Sequence, residues 1–193
     1  MRLCDNGRVT DSDQDTGGAW LLLIYRVPSE PSRLRAAVWR RIKSLGAIYL
    51  QNSAAALPAG VGAERSLRKL RSEILNMGGT AVLMTCTELA GGTVVMGAFQ
   101  AARNDEYEEI VDRCEDFLAQ VKKEHVAEHF TYAELEENEV DLVKLQNWFG
   151  KVRQRDVFDA EGRKAAETVL AECEQALEGY ATRVYAEEAD IHS

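Results

Sequence analysis

The string with the clearest chemical shape is His125-Val126-Ala127-Glu128-His129. It satisfies H-x-x-E-H, which on one helix face would set two imidazoles at i and i+4 beside a carboxylate base, the ligand spacing of inverted zincins. A catalytic zinc needs a third protein ligand, and the carboxylates that follow, Glu134, Glu136, Glu137 and Glu139, give no basis for choosing one. The plainer reading is a pair of solvated histidines near a helix end, where the dipole favours protonated His. The acidic run Glu134 to Asp141 lacks EF-hand spacing and carries Leu135 and Val140 at helix-like positions, so it reads as a solvated helix face. A second constellation is basic: Arg26, Arg33, Arg35, Arg40, Arg41, Arg65, Arg68 and Arg71. Guanidinium forks hold phosphates and tetrahedral oxyanions in fixed geometry; the competing role is helix-surface solubility or pairing with acidic helices. Walker, G-x-G-x-x-G and G-x-S-x-G strings do not occur, so nucleotide cradles and a serine nucleophile elbow lack sequence support. Cys4, Cys86, Cys114 and Cys173 form no C-x-x-C pair and are expected as reduced, separate thiols.

The elements that must position these residues follow from periodicity. Residues 1–18 are polar without period and read as a disordered tail. W-L-L-L-I-Y-R-V from Trp20 to Val27 is short, continuously apolar and stopped by Pro28, as in a strand buried on both faces. Pro31 and Ser32 open a helix with Leu34, Val38, Ile42 and Leu45 on one face, closed by Gly46. Ala47 to Gln51 and Ser53 to Leu57 are strand-length runs about Asn52, fitting a tight hairpin or one bulged strand. A helix near Ala63 to Asn76 carries Leu67, Leu70, Ile74 and Met77 inward and ends at Gly78-Gly79; Ala81 to Leu89 is a last strand. The order βαββαβ over residues 19–90 predicts an α+β fold with a ferredoxin-like domain. After a short strand or helix start at Thr93 to Ala98, residues 91–193 read as a helical hairpin or bundle packed on it. Its three stripes run through Tyr107 to Val121, Leu135 to Val152 and Val169 to Val184, with turns near Phe130-Thr131 and Phe158 to Gly162. Thr131 is the expected N-cap, with Glu134 its capping-box partner.

The 193 residues are 46% hydrophobic and 28% charged, an ordinary globular composition that excludes fibrous and disordered classes. The longest apolar runs fall far short of the roughly 20 residues a membrane span needs, and a cytoplasmic protein without membrane contact is expected. The net charge of −9 is unevenly spread. Residues 20–78 carry ten basic and three acidic side chains, whereas residues 79–193 carry eleven and twenty-five. An anion can feel the basic part locally, because salt screens beyond roughly 8 to 10 Å.

From Trp20 to Pro58, through F-x-A-A-R-x-x-E-Y at Phe99 to Tyr107 and F-T-Y-A-E-L-E-E-N-E at Phe130 to Glu139, the sequence resembles the N-terminal domain of the ChrB family of chromate-resistance and chromate-responsive regulators. V-P-S-x-P and Y-L-Q-x-S also resemble the central domain of PaaX-type repressors, itself similar to the small CRISPR-adaptation endoribonuclease of ferredoxin-like fold. The resemblance implies a regulatory or accessory protein of chromate resistance that binds an oxyanion, DNA or a protein partner rather than catalysing a reaction, with no cofactor. Where that endoribonuclease has an Asp after its first strand, Val27-Pro28-Ser29 stands here, so nuclease activity does not transfer. ChrB-like proteins usually carry a further C-terminal domain beyond the region these residues resemble. The expected partners are therefore chromate or another oxyanion, DNA, and either a second copy in a homodimer or a separate C-terminal-domain protein. Two alternatives from other classes remain: a zinc metallohydrolase using His125, Glu128 and His129, and a dimerisation or interaction module.

Overall fold

A computed structural model describes residues 18–191; the expected tail lies outside them except for Gly18. The chain order is β1 (Trp20–Arg26), α1 (Ser32–Ser44), β2 (Ile48–Gln51), β3 (Ala54–Pro58), α2 (Val61–Asn76), β4 (Thr80–Cys86), α3 (Gly92–Val126), α4 (Tyr132–Arg155) and α5 (Gly162–Ile191). The four strands form one antiparallel sheet in the order β2-β3-β1-β4, making an α+β protein with five helices. The central β1 is paired on both edges, and its expected burial on both faces holds only for its first half: Trp20, Leu21 and Leu23 are buried, whereas Ile24 is exposed.

Alternation assigns the two faces of the sheet. Leu21 and Leu23 point toward the α1/α2 side and are buried with Val38, Ile42, Leu67, Leu70 and Ile74. Each such side chain contributes roughly 1.5–3 kcal/mol on removal from water. Trp20 points to the other side, where its ring meets Phe99 of α3 at 6.1 Å and Phe158 of the α4–α5 turn at 5.9 Å. Those two rings meet edge-on at 5.6 Å, so an aromatic triad seals one end of that face. At its other end Ile24 and its cross-strand partner Val82 stay exposed.

The alternative of one bulged strand at residues 47–57 is replaced by a hairpin through Asn52-Ser53, with Ser53 at φ 67° and a register shift between Tyr49 and Gln51. Residues 93–98 open α3, α2 starts two residues before Ala63, and β4 stops three residues short of Leu89. Gly46 follows α1 at φ +75°, and a Cβ there would stand 2.5 Å from Arg155 Cδ. Only glycine combines that dihedral with that approach.

The three stripes meet among α3, α4 and α5 in a second cluster that includes Tyr107, Ile110, Phe149, Val152, Tyr180 and Val184. Gly150 does not interrupt α4, consistent with a mid-helix cost of only about 1 kcal/mol. Thr131 Oγ1 accepts the Glu134 N–H at 3.3 Å, the expected cap. Cys114 and Cys173, expected as separate thiols, meet in this core: both are buried, and Cys173 Sγ donates to the Cys114 carbonyl at 3.5 Å. Their separation of 59 residues hides the fact that α3 and α5 align them.

Candidate functional site

The H-x-x-E-H string does not form one helical face. α3 ends at Val126, Ala127 is its C-cap, and Glu128 has left-handed backbone at φ 56°. His125 alone stands on the helix, its ring edge-on to Phe130 at 5.1 Å, while the His129 carbonyl accepts the Tyr180 hydroxyl. The i,i+4 geometry that motivated the zinc alternative is therefore absent at His125, Glu128 and His129. Among the described residues no group of three or more His, Cys, Asp or Glu side chains is placed to hold a metal ion.

The eight arginines divide into three situations. Arg68 is held by Glu64 at 2.7 Å, and Arg71 Nε donates to the Ala81 carbonyl of β4 at 3.1 Å; both line a groove between α2 and the β4 edge. Arg33 and Arg40 project from α1, Arg41 is half-buried beside them, and Arg65 projects from α2. Arg26 at the end of β1 and Arg35 in the second turn of α1 line a single cleft of about 580 Å³. That cleft unites two of the eight predicted arginines, nine residues apart on two different elements.

The cleft is built from four pieces of chain. The end of β1 gives Tyr25, Arg26 and Val27; α1 gives Arg35 and, one turn on, Trp39; β2 gives Tyr49; and the hairpin turn gives Asn52 and Ser53. The turn is tied to the strand by the Tyr25 N–H, which donates to the Ser53 carbonyl at 2.9 Å. The Tyr25 and Tyr49 hydroxyls are 3.1 Å apart. Burial, reinforced by that hydrogen bond, pushes the Tyr49 phenol above its ordinary range. No carboxylate lines the cleft, and neither Arg26 nor Arg35 makes an ion pair or hydrogen bond among the described residues. Trp39 is 52% exposed. The result is two unspent guanidiniums against aromatic walls, chemistry suited to an anion.

Arginine serves a different purpose where the sheet meets the helices. Arg103 is 3% exposed: it donates to the Gly46 carbonyl at 2.8 Å, pairs with Glu106 at 2.7 Å and stacks on the Phe99 ring at 4.9 Å. Arg155 of α4 takes the other Glu106 oxygen at 2.6 Å and donates to the Ser44 carbonyl at 3.2 Å. Burial pulls the Arg103 guanidinium below its ordinary pKa, opposed by the Glu106 charge. Tyr107 completes the junction by donating to Asp156 at 3.1 Å, and Asp156 also accepts the Ala160 N–H at 3.1 Å. F-x-A-A-R-x-x-E-Y is thus the seam joining α1, α3 and α4. Sequence reasoning passed over Arg103 and Glu106, although a signal was present: Phe99, Arg103 and Tyr107 lie four apart on a stripe that should be apolar.

The second string, Phe130 to Glu139, supplies the Thr131 cap and the buried Asn138, whose amide donates to Glu124 at 2.6 Å. Gln120 donates to the other Glu124 oxygen at 2.5 Å, so this buried carboxylate is fully partnered. No helix among the described residues is long and apolar enough to cross a membrane.

Comparison with known proteins agrees with the two strings. Residues 35–191 match the family model described as Protein ChrB, N-terminal, a span that includes Arg35, Trp39, Arg103 and Glu106 and leaves out Arg26 and Arg33. Protein ChrB of Cupriavidus metallidurans is 29% identical over 154 residues, covering 77% of this chain and 43% of that protein, so the chain spans under half the length of its relative. No solved structure matches it. With the seam, the cap and nearly the whole of α1 to α5 inside the matched span, the chain belongs to the ChrB family, corresponding to its N-terminal region.

Proposed function

We propose that the protein serves chromate resistance as a regulatory or accessory component that acts by binding an anion, not by catalysis, and that Arg26 and Arg35 hold the anion. The carrying observation is that these two arginines share a cleft in which, among the described residues, no carboxylate and no other side-chain partner meets them. Arg68, Arg71, Arg103 and Arg155 are instead held by Glu64, by Glu106 or by backbone carbonyls. The strand order β2-β3-β1-β4, with both crossover helices on one face, supports the ferredoxin-like reading of residues 19–90. Residues 91–193 then act as a helical support fixed through the Arg103–Glu106–Arg155 seam.

Titration calorimetry with sulfate as the chromate mimic, at low ionic strength, tests this reading. The wild type is expected to bind, and Arg35→Lys to lose the ligand although the charge is kept, because a bidentate fork is replaced by a point charge. Binding unchanged in Arg35→Lys would contradict the assignment.

A second reading has its own observation: Arg33 and Arg40 stand exposed on α1, unpaired among the described residues, on the basic part of the chain. If they contact duplex DNA, affinity falls with salt at a log–log slope of roughly −0.9 per phosphate neutralised. Arg40→Glu with Arg41→Glu should then abolish it, and a shallow slope would exclude this mode.

A further inference from the structure

We infer that the Arg26–Arg35 cleft takes a phosphate that carries a flat aromatic group, a nucleotide base joined to its phosphate, in preference to a bare tetrahedral oxyanion; this rests on the anion reading above and adds the ligand class. Size is the first reason. A tetrahedral oxyanion fills the space of two or three waters at roughly 30 Å³ each, whereas clefts that take larger organic ligands measure about 300–1,000 Å³. At about 580 Å³ this one lies in the second range, with most of its space left over once an anion sits on the guanidiniums. The second reason is the wall. Trp39 stands one helical turn beyond Arg35 on the same face of α1 and keeps half its surface in water, although it lines the cleft. An indole in that position is an open stacking platform for a flat ring.

The third reason is charge and polarity. Trp39, Tyr25 and Tyr49 are neutral side chains and the described lining holds no carboxylate, so nothing in it opposes a phosphate. Asn52, at the tip of the β2–β3 hairpin, brings an amide that both donates and accepts, the pair of functions a base edge presents. Arg26 and Arg35 would take the phosphate, Trp39 the ring face and Asn52 the ring edge. The same chemistry can arrive as a free mononucleotide or as an unpaired nucleotide within a single strand.

Calorimetric titration of the full chain with phosphate, adenosine, AMP and a short oligodeoxyadenylate separates these cases, with quenching of Trp39 fluorescence locating the ligand. AMP should bind about 10-fold to 100-fold more tightly than phosphate, the range expected for one base stacked on one aromatic ring. Trp39→Ala should remove the advantage of AMP over phosphate, bringing the two affinities together, with little change in melting temperature, since the side chain is half exposed. Arg35→Gln should remove both. An oligonucleotide far tighter than AMP would assign the source as a strand, and equal affinity would assign a free nucleotide. Equal binding of AMP and phosphate would overturn the inference while leaving the anion reading intact. Adenosine binding as well as AMP, or no binding by any of the four, would overturn both.

Discussion

Two pairs of arginines stand about the first helix, and their surroundings are opposite. At its C-terminal end Arg103 and Arg155 converge on one carboxylate, Glu106, and each donates to a carbonyl just past the helix, Gly46 and Ser44 respectively. On its other half Arg26 and Arg35 line a cleft with no carboxylate and no side-chain partner among the described residues. Charge removed from water must be compensated, so the first pair is costly to disturb; charge left at a wet surface costs little and remains free for a ligand. The contrast teaches that arginine count says little about an anion site. What matters is which guanidiniums the fold has already used.

The contrast breaks most sharply at Glu106. Glu106→Gln leaves Arg103 and Arg155 facing each other without their counter-charge, and a loss of about 3 kcal/mol is expected by denaturant unfolding, because breaking a buried pair costs far more than an exposed one. A loss under about 1 kcal/mol would mean that the seam is solvated. Next is Gly46→Ala, which forces a left-handed residue costing roughly 1–2 kcal/mol and drives a Cβ against Arg155 and Arg103. Its effect should shrink in an Arg155→Ala background if the close approach contributes.

Phenols offer a pH-dependent version of the same comparison, since Tyr107 borders the seam and Tyr49 the cleft. Both are pushed upward, chiefly by burial, with the Asp156 charge adding at Tyr107. A raised folded-state pKa means that the unfolded chain loses its phenolic protons first, near pH 10. Stability is therefore full below about pH 10 and falls as pH rises above it, by up to about 1.4 kcal/mol per phenol per pH unit. Tyr107→Phe and Tyr49→Phe should each flatten part of that slope, as followed by urea unfolding from pH 8 to 11. The smallest expected effect on stability is at the cleft itself: Arg26→Gln with Arg35→Gln should change it by no more than about 0.5 kcal/mol.

Periodicity made most of the architecture legible. The unbroken apolar run at Trp20 and the 3.6-residue stripes on α3, α4 and α5 follow from how many faces each element buries, and that is a local property. Helix ends were harder. Nothing local in K-K-E-H-V-A-E-H shows that α3 stops at Val126, because the stop comes from Glu128 taking left-handed backbone so that Phe130 can turn in toward Tyr180 and His125. The arginines were legible as a group and not as a site. Arg68 and Arg35 have the same local character, and only Glu64 on the same helix face and the approach of β1 and the hairpin to α1 distinguish the spent residue from the free one. Arg103 was the reverse case, visible as a family mark and as a charge on an apolar stripe before its role at the seam was known.

Arg26 and Arg35 are, on the reading proposed above, held free for an anion. That reading is tested most directly by the melting temperatures of wild type and of the Arg26→Gln, Arg35→Gln variant, in sulfate and in chloride of equal ionic strength. A ligand that binds only the folded state stabilises it by about 2.7 kcal/mol at a hundred times its dissociation constant. The account predicts equal melting of the two proteins in chloride and a further sulfate-induced rise in the wild type alone. Equal rises in both proteins would show general salting-out of the unfolded surface and contradict the claim, as would a variant that melts well below wild type in chloride.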